Sequence, residues 1–203
     1  REFQPMLIQE YFEFGKRLYR NDSNGRIIFT DISEKAGIHG GGINFGLGVS
    51  ASDLNADGWP DLYISNDYEE QDFVYLNNQD GTFRNVTQAS LGHFSRNGMG
   101  TDIADYNNDG LPDIAEVAMW PEDNYRQKLL KGPDDYNRYQ LMFDSGFLYQ
   151  QMRNTLQLNT GVTKQGVPVF SEVGQLASVS STDWSWAPLF IDLDNDGYKD
   201  LFV

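Results

Sequence analysis

Hydrophobic and polar positions along this chain repeat as a short four-strand unit that can be traced three times. Each unit opens on a strand ending in asparagine: Leu18-Tyr19-Arg20-Asn21, Val74-Tyr75-Leu76-Asn77 and Leu156-Gln157-Leu158-Asn159. A turn follows, with Asn24-Gly25 in the first unit and Asp80-Gly81 in the second, dipeptides that accept the positive φ angles of a tight hairpin. The returning strand is Phe29-Thr30-Asp31-Ile32, Phe83-Arg84-Asn85-Val86 or Phe170-Ser171-Glu172-Val173. Its two apolar residues stand three apart, so the repetition, not a clean alternation, carries the assignment.

Ala36-Gly37-Ile38, Ala89-Ser90-Leu91 and Ala177-Ser178-Val179 come next, and then a strand that enters an acidic loop. That strand contains Gly46-Leu47-Gly48, Gly98-Met99-Gly100 or Ser185-Trp186-Ala187, small-large-small patterns suited to an inner strand where backbones approach closely. The loop leads into Leu62-Tyr63-Ile64, Ile114-Ala115-Glu116 or Leu201-Phe202-Val203. Four short strands per unit, with 52 residues between the first two loops, is the size of a propeller blade. The prediction is an all-β chain of propeller blades, in units of about 17–73, 74–153 and 154–203, after an unassigned lead-in at 1–16. The second and third loops are 87 residues apart, so about 35 residues are inserted, at about 118–153. Within them Asn124 to Lys131, closed by Gly132-Pro133, reads as a helix with its stop signal, and a second helix is predicted from Asp134 to about Phe143.

The acidic loops hold the chemistry. Asp53-Leu54-Asn55-Ala56-Asp57-Gly58-Trp59-Pro60-Asp61, Asp105-Tyr106-Asn107-Asn108-Asp109-Gly110-Leu111-Pro112-Asp113 and Asp192-Leu193-Asp194-Asn195-Asp196-Gly197-Tyr198-Lys199-Asp200 all read D-x-[DN]-x-D-G-x-x-D. Oxygens at positions 1, 3, 5 and 9, with a glycine at 6 for the bend, suit a hard cation that takes six to eight oxygen ligands. Calcium is the natural candidate: magnesium demands tighter octahedral geometry and keeps several waters, and zinc or copper would want His or Cys. The bland alternative is that such clusters only make turns, which one copy could do and three in register argue against. Glu116 falls at position 12 of an EF-hand pattern, but the loops run into strand-like stretches and Pro60 and Pro112 sit at position 8, so that pattern is rejected.

Ten of the 30 acidic residues lie in these loops, so much of the net charge of −15 is a metal-site signature. Three bound Ca²⁺ would bring it to roughly −9. The charge argues against nucleic acid or an anionic membrane surface as partner. No cysteine is present and no apolar run is long enough to span a bilayer. Arg1 is not a natural start and Val203 lies inside a strand-like run, so the expectation is an excerpt of a longer protein.

Phe45-Gly46-Leu47-Gly48-Val49-Ser50-Ala51-Ser52-Asp53 with its loop resembles the FG-GAP repeat of integrin α-chain propellers, also known as the VCBS repeat. Taken with the insertion segments Pro121 to Lys128 and Gly132 to Tyr136, the chain resembles bacterial relatives of cartilage acidic protein, a group that often carries an ASPIC/UnbV segment. The resemblance implies a seven-bladed propeller, secreted, periplasmic or on the cell surface, with about three Ca²⁺ in hairpin loops. It implies side-chain ligands Asp53, Asn55, Asp57, Asp61, Asp105, Asn107, Asp109, Asp113, Asp192, Asp194, Asp196 and Asp200, with main-chain oxygens from Trp59, Leu111 and Tyr198. The third unit departs from the pattern at Ser185-Trp186-Ala187 and Pro188.

The expected function is adhesion-type binding of a protein or glycan, with calcium in a structural role. A scaffold for a secreted polysaccharide-acting enzyme is the alternative, and a purely structural spacer a third. The insertion is the candidate binding surface, since Tyr125, Tyr136, Tyr139, Phe143, Phe147 and Tyr149 interleave with Arg126, Lys128, Arg138 and Arg153; the same aromatics could instead pack the helices onto the blade. Trp184 and Trp186 are expected in core or channel packing ahead of sugar stacking. Glu116, in a row otherwise held by Ile64 and Val203, is expected to be exposed or paired with an insertion arginine, and His39 and His93 to be solvated loop residues. Glu122-Asp123 and Asp134-Asp135 read as helix starts, not as a glycosidase pair.

Overall fold

The computed structural model describes residues 15–39, 44–130 and 136–203. The lead-in before residue 15, the Gly132-Pro133 stop and Asp134-Asp135 lie outside these residues. In chain order the elements are β1 (Tyr19–Asn21), β2 (Phe29–Asp31), β3 (Asn44–Ser52), β4 (Asp61–Tyr68), β5 (Phe73–Asn77), β6 (Phe83–Asn85), α1 (Thr87–Ser90), β7 (Phe94–Ser95), β8 (Gly98–Ala104) and β9 (Asp113–Trp120). Two insertion helices follow, α2 (Asn124–Leu130) and α3 (Tyr136–Asp144), and then β10 (Gln150–Gln151), β11 (Thr155–Lys164), β12 (Val167–Glu172), β13 (Asp183–Trp184), β14 (Leu189–Ile191) and β15 (Asp200–Phe202).

The strands form antiparallel, propeller-like blades. The first is the four-stranded sheet β3-β4-β5-β6, and the second runs β8-β9-β11-β12, with β13 added at the far end of β9. Hairpin β1–β2 precedes them and the pair β14–β15 follows. Sheet and sequence repeat are out of phase: a blade joins the strands flanking one acidic loop to the hairpin that opens the next unit. Ser52 pairs with Asp61 and Ala104 with Asp113, so each loop is the hairpin connection between the first two strands of its blade.

The small-large-small pattern has a local cause. Gly46 pairs with Asn66 and Gly48 with Ser65, leaving Leu47 as an extra residue; Gly98 pairs with Ala118 and Gly100 with Val117, leaving Met99 extra. Both are β-bulges, which bend the inner strand and strengthen its twist. The third unit differs from the expectation: Ser185-Trp186-Ala187 lies between β13 and β14, not in a strand. Its backbone crosses Gly100, where an added Cβ would overlap the Trp186 carbonyl oxygen and lie 3.2 Å from Ala187 Cα.

Two apolar clusters separate the layers. Leu54, Tyr63, Val74 and Leu76 of the first blade meet Ile114, Val167 and Phe170 of the second. On the other face of the first blade, Ile64, Phe73 and Tyr75 pack with Ala36 and Ile38, and Leu18 and Ile32 of the preceding hairpin region lie against them. The period-2 geometry of β4 explains the split, because Tyr63 and Ile64 point to opposite faces. After each returning strand the chain makes one helical turn in the same register, with Ala36, Ser90 and Ala177 donating to the carbonyls of Ile32, Val86 and Val173.

Asp123 caps α2 by accepting from Arg126 N–H at 2.9 Å, as expected for a helix start. Ion pairs tie the insertion down: Arg126 to Asp183, and Arg138 to Glu69, which Arg96 also approaches at 3.5 Å.

Candidate functional site

The three acidic loops adopt one conformation. Position 4 is left-handed in each, at φ 57° for Ala56, 59° for Asn108 and 62° for Asn195, and the glycine at position 6 has φ 87° to 91°. A side chain at position 6 would strain the turn, which is why Gly58, Gly110 and Gly197 recur there. The position-1 carboxylate spans the turn: Asp53 accepts from Asp57 N–H at 2.9 Å and Gly58 N–H at 2.7 Å, Asp105 from Asp109 and Gly110 at 3.0 and 2.8 Å, and Asp192 from Asp196 and Gly197 at 3.1 and 3.0 Å. Asn55, Asn107 and Asp194 at position 3 accept from the same position-5 N–H at 3.1 to 3.2 Å. The N–H groups of Trp59, Leu111 and Tyr198 donate to the carboxylates of Asp57, Asp109 and Asp196. The position-9 carboxylates of Asp61, Asp113 and Asp200 close the loop by accepting from Leu54, Tyr106 and Leu193 N–H.

The donor set fits a hard divalent cation. Oxygens of positions 1 and 3 converge on the position-5 N–H in every loop, the position-5 carboxylate turns to the position-7 N–H, and no soft or nitrogen ligand intervenes. In the third loop, oxygens of Asp192, Asp194 and Asp200 all lie within 4.8 Å of one another. The first two loops carry asparagine at position 3, so each has one carboxylate fewer. Electrostatics point the same way. Burial raises Asp61 above the ordinary carboxylate range and lifts Asp113 to about 6, with their loop neighbours adding repulsion against partly compensating backbone hydrogen bonds. A bound cation would remove that penalty.

Sequence reasoning missed the role of the strand-terminal asparagines, although their recurrence was the signal. Asn77 N–H donates to Asp61 Oδ1 at 2.8 Å and its amide to the Pro60 carbonyl at 3.1 Å. Asn159 repeats this with Asp113 Oδ1 at 2.8 Å and the Pro112 carbonyl at 3.4 Å, and also reaches the Leu54 carbonyl of the neighbouring blade at 3.1 Å. The third strand of each blade thus braces its acidic loop.

A cleft of about 520 Å³ opens between the insertion and the second blade, lined by Trp120, Tyr136, Tyr139, Tyr149, Gln150 and Arg153 among others. Tyr139 and Tyr149 meet edge to face at 5.7 Å, while Tyr125 and Tyr136 are largely exposed. The insertion aromatics therefore divide between bracing one another and facing solvent.

Four expectations are corrected. Trp184 and Trp186 are 55% and 63% exposed, because the segment carrying them leaves the sheet after two residues. His39 is no solvated loop residue: its Nε2 lies 2.6 Å from Glu70 Oε1 and its ring packs on Phe73. His93 is half-buried, and burial lowers its pKa. Glu116 is neither exposed nor paired with an arginine, but is 1% exposed between the two blades.

Residues 53–115 match the FG-GAP-like repeat. The match spans the first acidic loop, strands β4 to β8 and the second loop, ending in β9. Among curated proteins the chain is similar to integrin alpha-7 of Homo sapiens and of Rattus norvegicus, each 32% identical over an alignment of 117 residues that covers 52% of this chain and 10% of the relative. The chain spans about a tenth of the length of these relatives. Among the described residues no helix is long and apolar enough to cross a membrane.

Proposed function

We propose that this chain is a calcium-binding segment of an extracellular, periplasmic or cell-surface β-propeller of seven blades, and that it acts as an adhesion-type module for a protein or glycan. The observation that carries the calcium reading is the identical hydrogen-bond register of the three acidic loops. One ion per loop would take side-chain oxygens from positions 1, 3, 5 and 9 and the main-chain oxygens of Trp59, Leu111 and Tyr198. Calcium supplies charge neutralisation there. Loops whose carboxylates repel one another until a cation arrives convert metal affinity into folding free energy. Similarity to an integrin α-chain supports the adhesion reading, and kinship with the bacterial cartilage-acidic-protein-like, ASPIC/UnbV-associated group rests on the insertion sequence.

The ligand is taken in the cleft beside the insertion. Its volume is that of a small-ligand pocket, and tyrosine and tryptophan faces with Gln150, Gln151 and Gln175 amides suit stacking and hydrogen bonding to a sugar or a peptide turn. Among the described residues no aspartate or glutamate lines it, which favours binding over the enzyme-scaffold alternative.

The test is calorimetric titration of calcium into chelator-stripped protein, with the melting temperature followed alongside. About three ions and a clear rise in melting temperature are expected; no binding would reduce the loops to turns and remove the reading.

A further inference from the structure

The strongest unexplained feature lies between the blades, away from loops and cleft. Glu116 sits in a cross-strand row, opposite Thr101 of β8 and Thr155 of β11, so all three share the face of the second blade that meets the first. Tyr63 of β4 donates its hydroxyl to Glu116 Oε2 at 3.0 Å, and Thr155 Oγ1 lies at 3.4 Å. From the first blade Asp72, 0% exposed, holds Asn66 N–H on Oδ1 at 3.0 Å. The Asp72 and Glu116 carboxyl groups are themselves within hydrogen-bonding reach of each other. Glu116 Oε1 and Asp72 Oδ2 are buried and, among the described residues, accept from no N–H or O–H. Two ionised carboxylates cannot hydrogen-bond; a carboxylic acid and a carboxylate can.

We propose that Asp72 and Glu116 hold a single proton between them at neutral pH, making the seam between the two blades a proton-binding site. One proton lets one carboxyl donate to the other and halves the charge placed in the interior. A metal ion is the competing occupant, but packing is tight: a Cβ at residue 98 would overlap Glu116 Oε1 and lie 3.2 Å from Ser65 Cβ, so glycine there is what makes room for the carboxyl.

The charged surroundings favour keeping the proton on Glu116. Lys16, stacked over Phe73 at 4.5 Å with Glu70 at 3.9 Å, is the cation whose field reaches Asp72; Tyr63 is neutral and its own ionisation is strongly opposed by burial. Thr101 and Thr155 bring no charge from the second blade. Burial, then repulsion from Asp72, pushes Glu116 well above the ordinary carboxyl range, and burial moves Asp72 to about 6. Folded-state values above the unfolded ones mean that the proton favours the joined blades at low pH. That contribution is lost as pH rises through the folded values. Carboxyl ionisation at alkaline pH therefore loosens this seam.

The experiment is calorimetric unfolding of the calcium-saturated chain at pH 7 in buffers of different ionisation enthalpy, for the wild type and Glu116→Gln. Glutamine keeps an amide donor toward Asp72 and an oxygen for Tyr63. Wild type is expected to release about one proton on unfolding, and the variant about one fewer. Equal release by both, or none by wild type, overturns the shared proton. Infrared spectroscopy of the wild type alone gives a second readout that no variant's misfolding affects: a protonated carboxyl carbonyl stretch should persist at pH 7. Its absence overturns the shared proton, and a tightly held ion found in its place would assign the seam to a cation.

Discussion

The tight approach of the 185–187 backbone to Gly100 predicts what one methyl group will do. Gly100→Ala places a Cβ inside the Trp186 carbonyl oxygen and 3.2 Å from Ala187 Cα. Both obstacles are main chain, so no rotamer change relieves the overlap. The backbone of Gly100 lies outside the positive-φ region, so alanine suffers no conformational strain of its own and the steric effect stands alone. Relief requires the 185–187 segment to move off β8, which also threatens the hydrogen bond from Phe190 N–H to Asp102 Oδ2 at 2.7 Å. Overpacking of this kind costs about 1–3 kcal/mol, and rigid obstacles on both sides put this site near the upper end, at about 2–3 kcal/mol. For a chain of this size that corresponds to a melting temperature lower by roughly 5–10 °C. Gly92→Ala is the control, since an added Cβ there meets nothing within 4 Å, and it should stay within about 0.5 kcal/mol of wild type. Thermal melts of the three proteins in saturating calcium decide the matter. A Gly100→Ala melt indistinguishable from that of Gly92→Ala would refute the close approach.

Two further predictions concern the acidic loops. With folded-state values raised by burial, Asp61 and Asp113 favour the metal-free fold when protonated; that contribution is present below the ordinary carboxyl range and lost as pH rises through about 6 for Asp113. Calcium must displace those protons, so the calcium-induced rise in melting temperature should grow from pH 5 to pH 7; the same rise at both would refute it, and the difference between melts with and without calcium cancels the Asp72–Glu116 contribution. Asn159→Ala should destabilise by about 1–3 kcal/mol, because it strands the buried Leu54 carbonyl, and by more than Asn77→Ala, whose lost amide contact is exposed. Urea unfolding of the two variants ranks them, and the reverse order would discard the bracing role.

Local chemistry made the acidic loops legible in the sequence. A turn with left-handed position 4, glycine at position 6 and carboxylates that cap its own N–H groups is specified within nine residues, so Asp53 to Asp61 folds by the same rules as Asp105 to Asp113 and Asp192 to Asp200. The strands around the loops, the two helices of the insertion and the rejection of a helix after the loop followed from the same short-range signals. The period of the repeat was also visible, because each blade reuses the same turn chemistry.

Tertiary structure decided what long-range contact decides. Only pairing across loops showed that a blade combines halves of successive units, that Leu47 and Met99 are bulged residues, and that Asn77 and Asn159 brace the loop that precedes them. Glu116 illustrates the limit: its neighbours in sequence are apolar strand residues, and nothing within reach along the chain supplies Tyr63 and Asp72, which lie 53 and 44 residues earlier. Trp184 and Trp186 show the converse, an alternation that promised a strand until the crossing over Gly100 pulled the backbone out of the sheet. Local sequence fixes turns and periods because those interactions are made within a few residues. Burial, and with it the charge state of a carboxyl group, is set by whichever distant segment arrives to cover it.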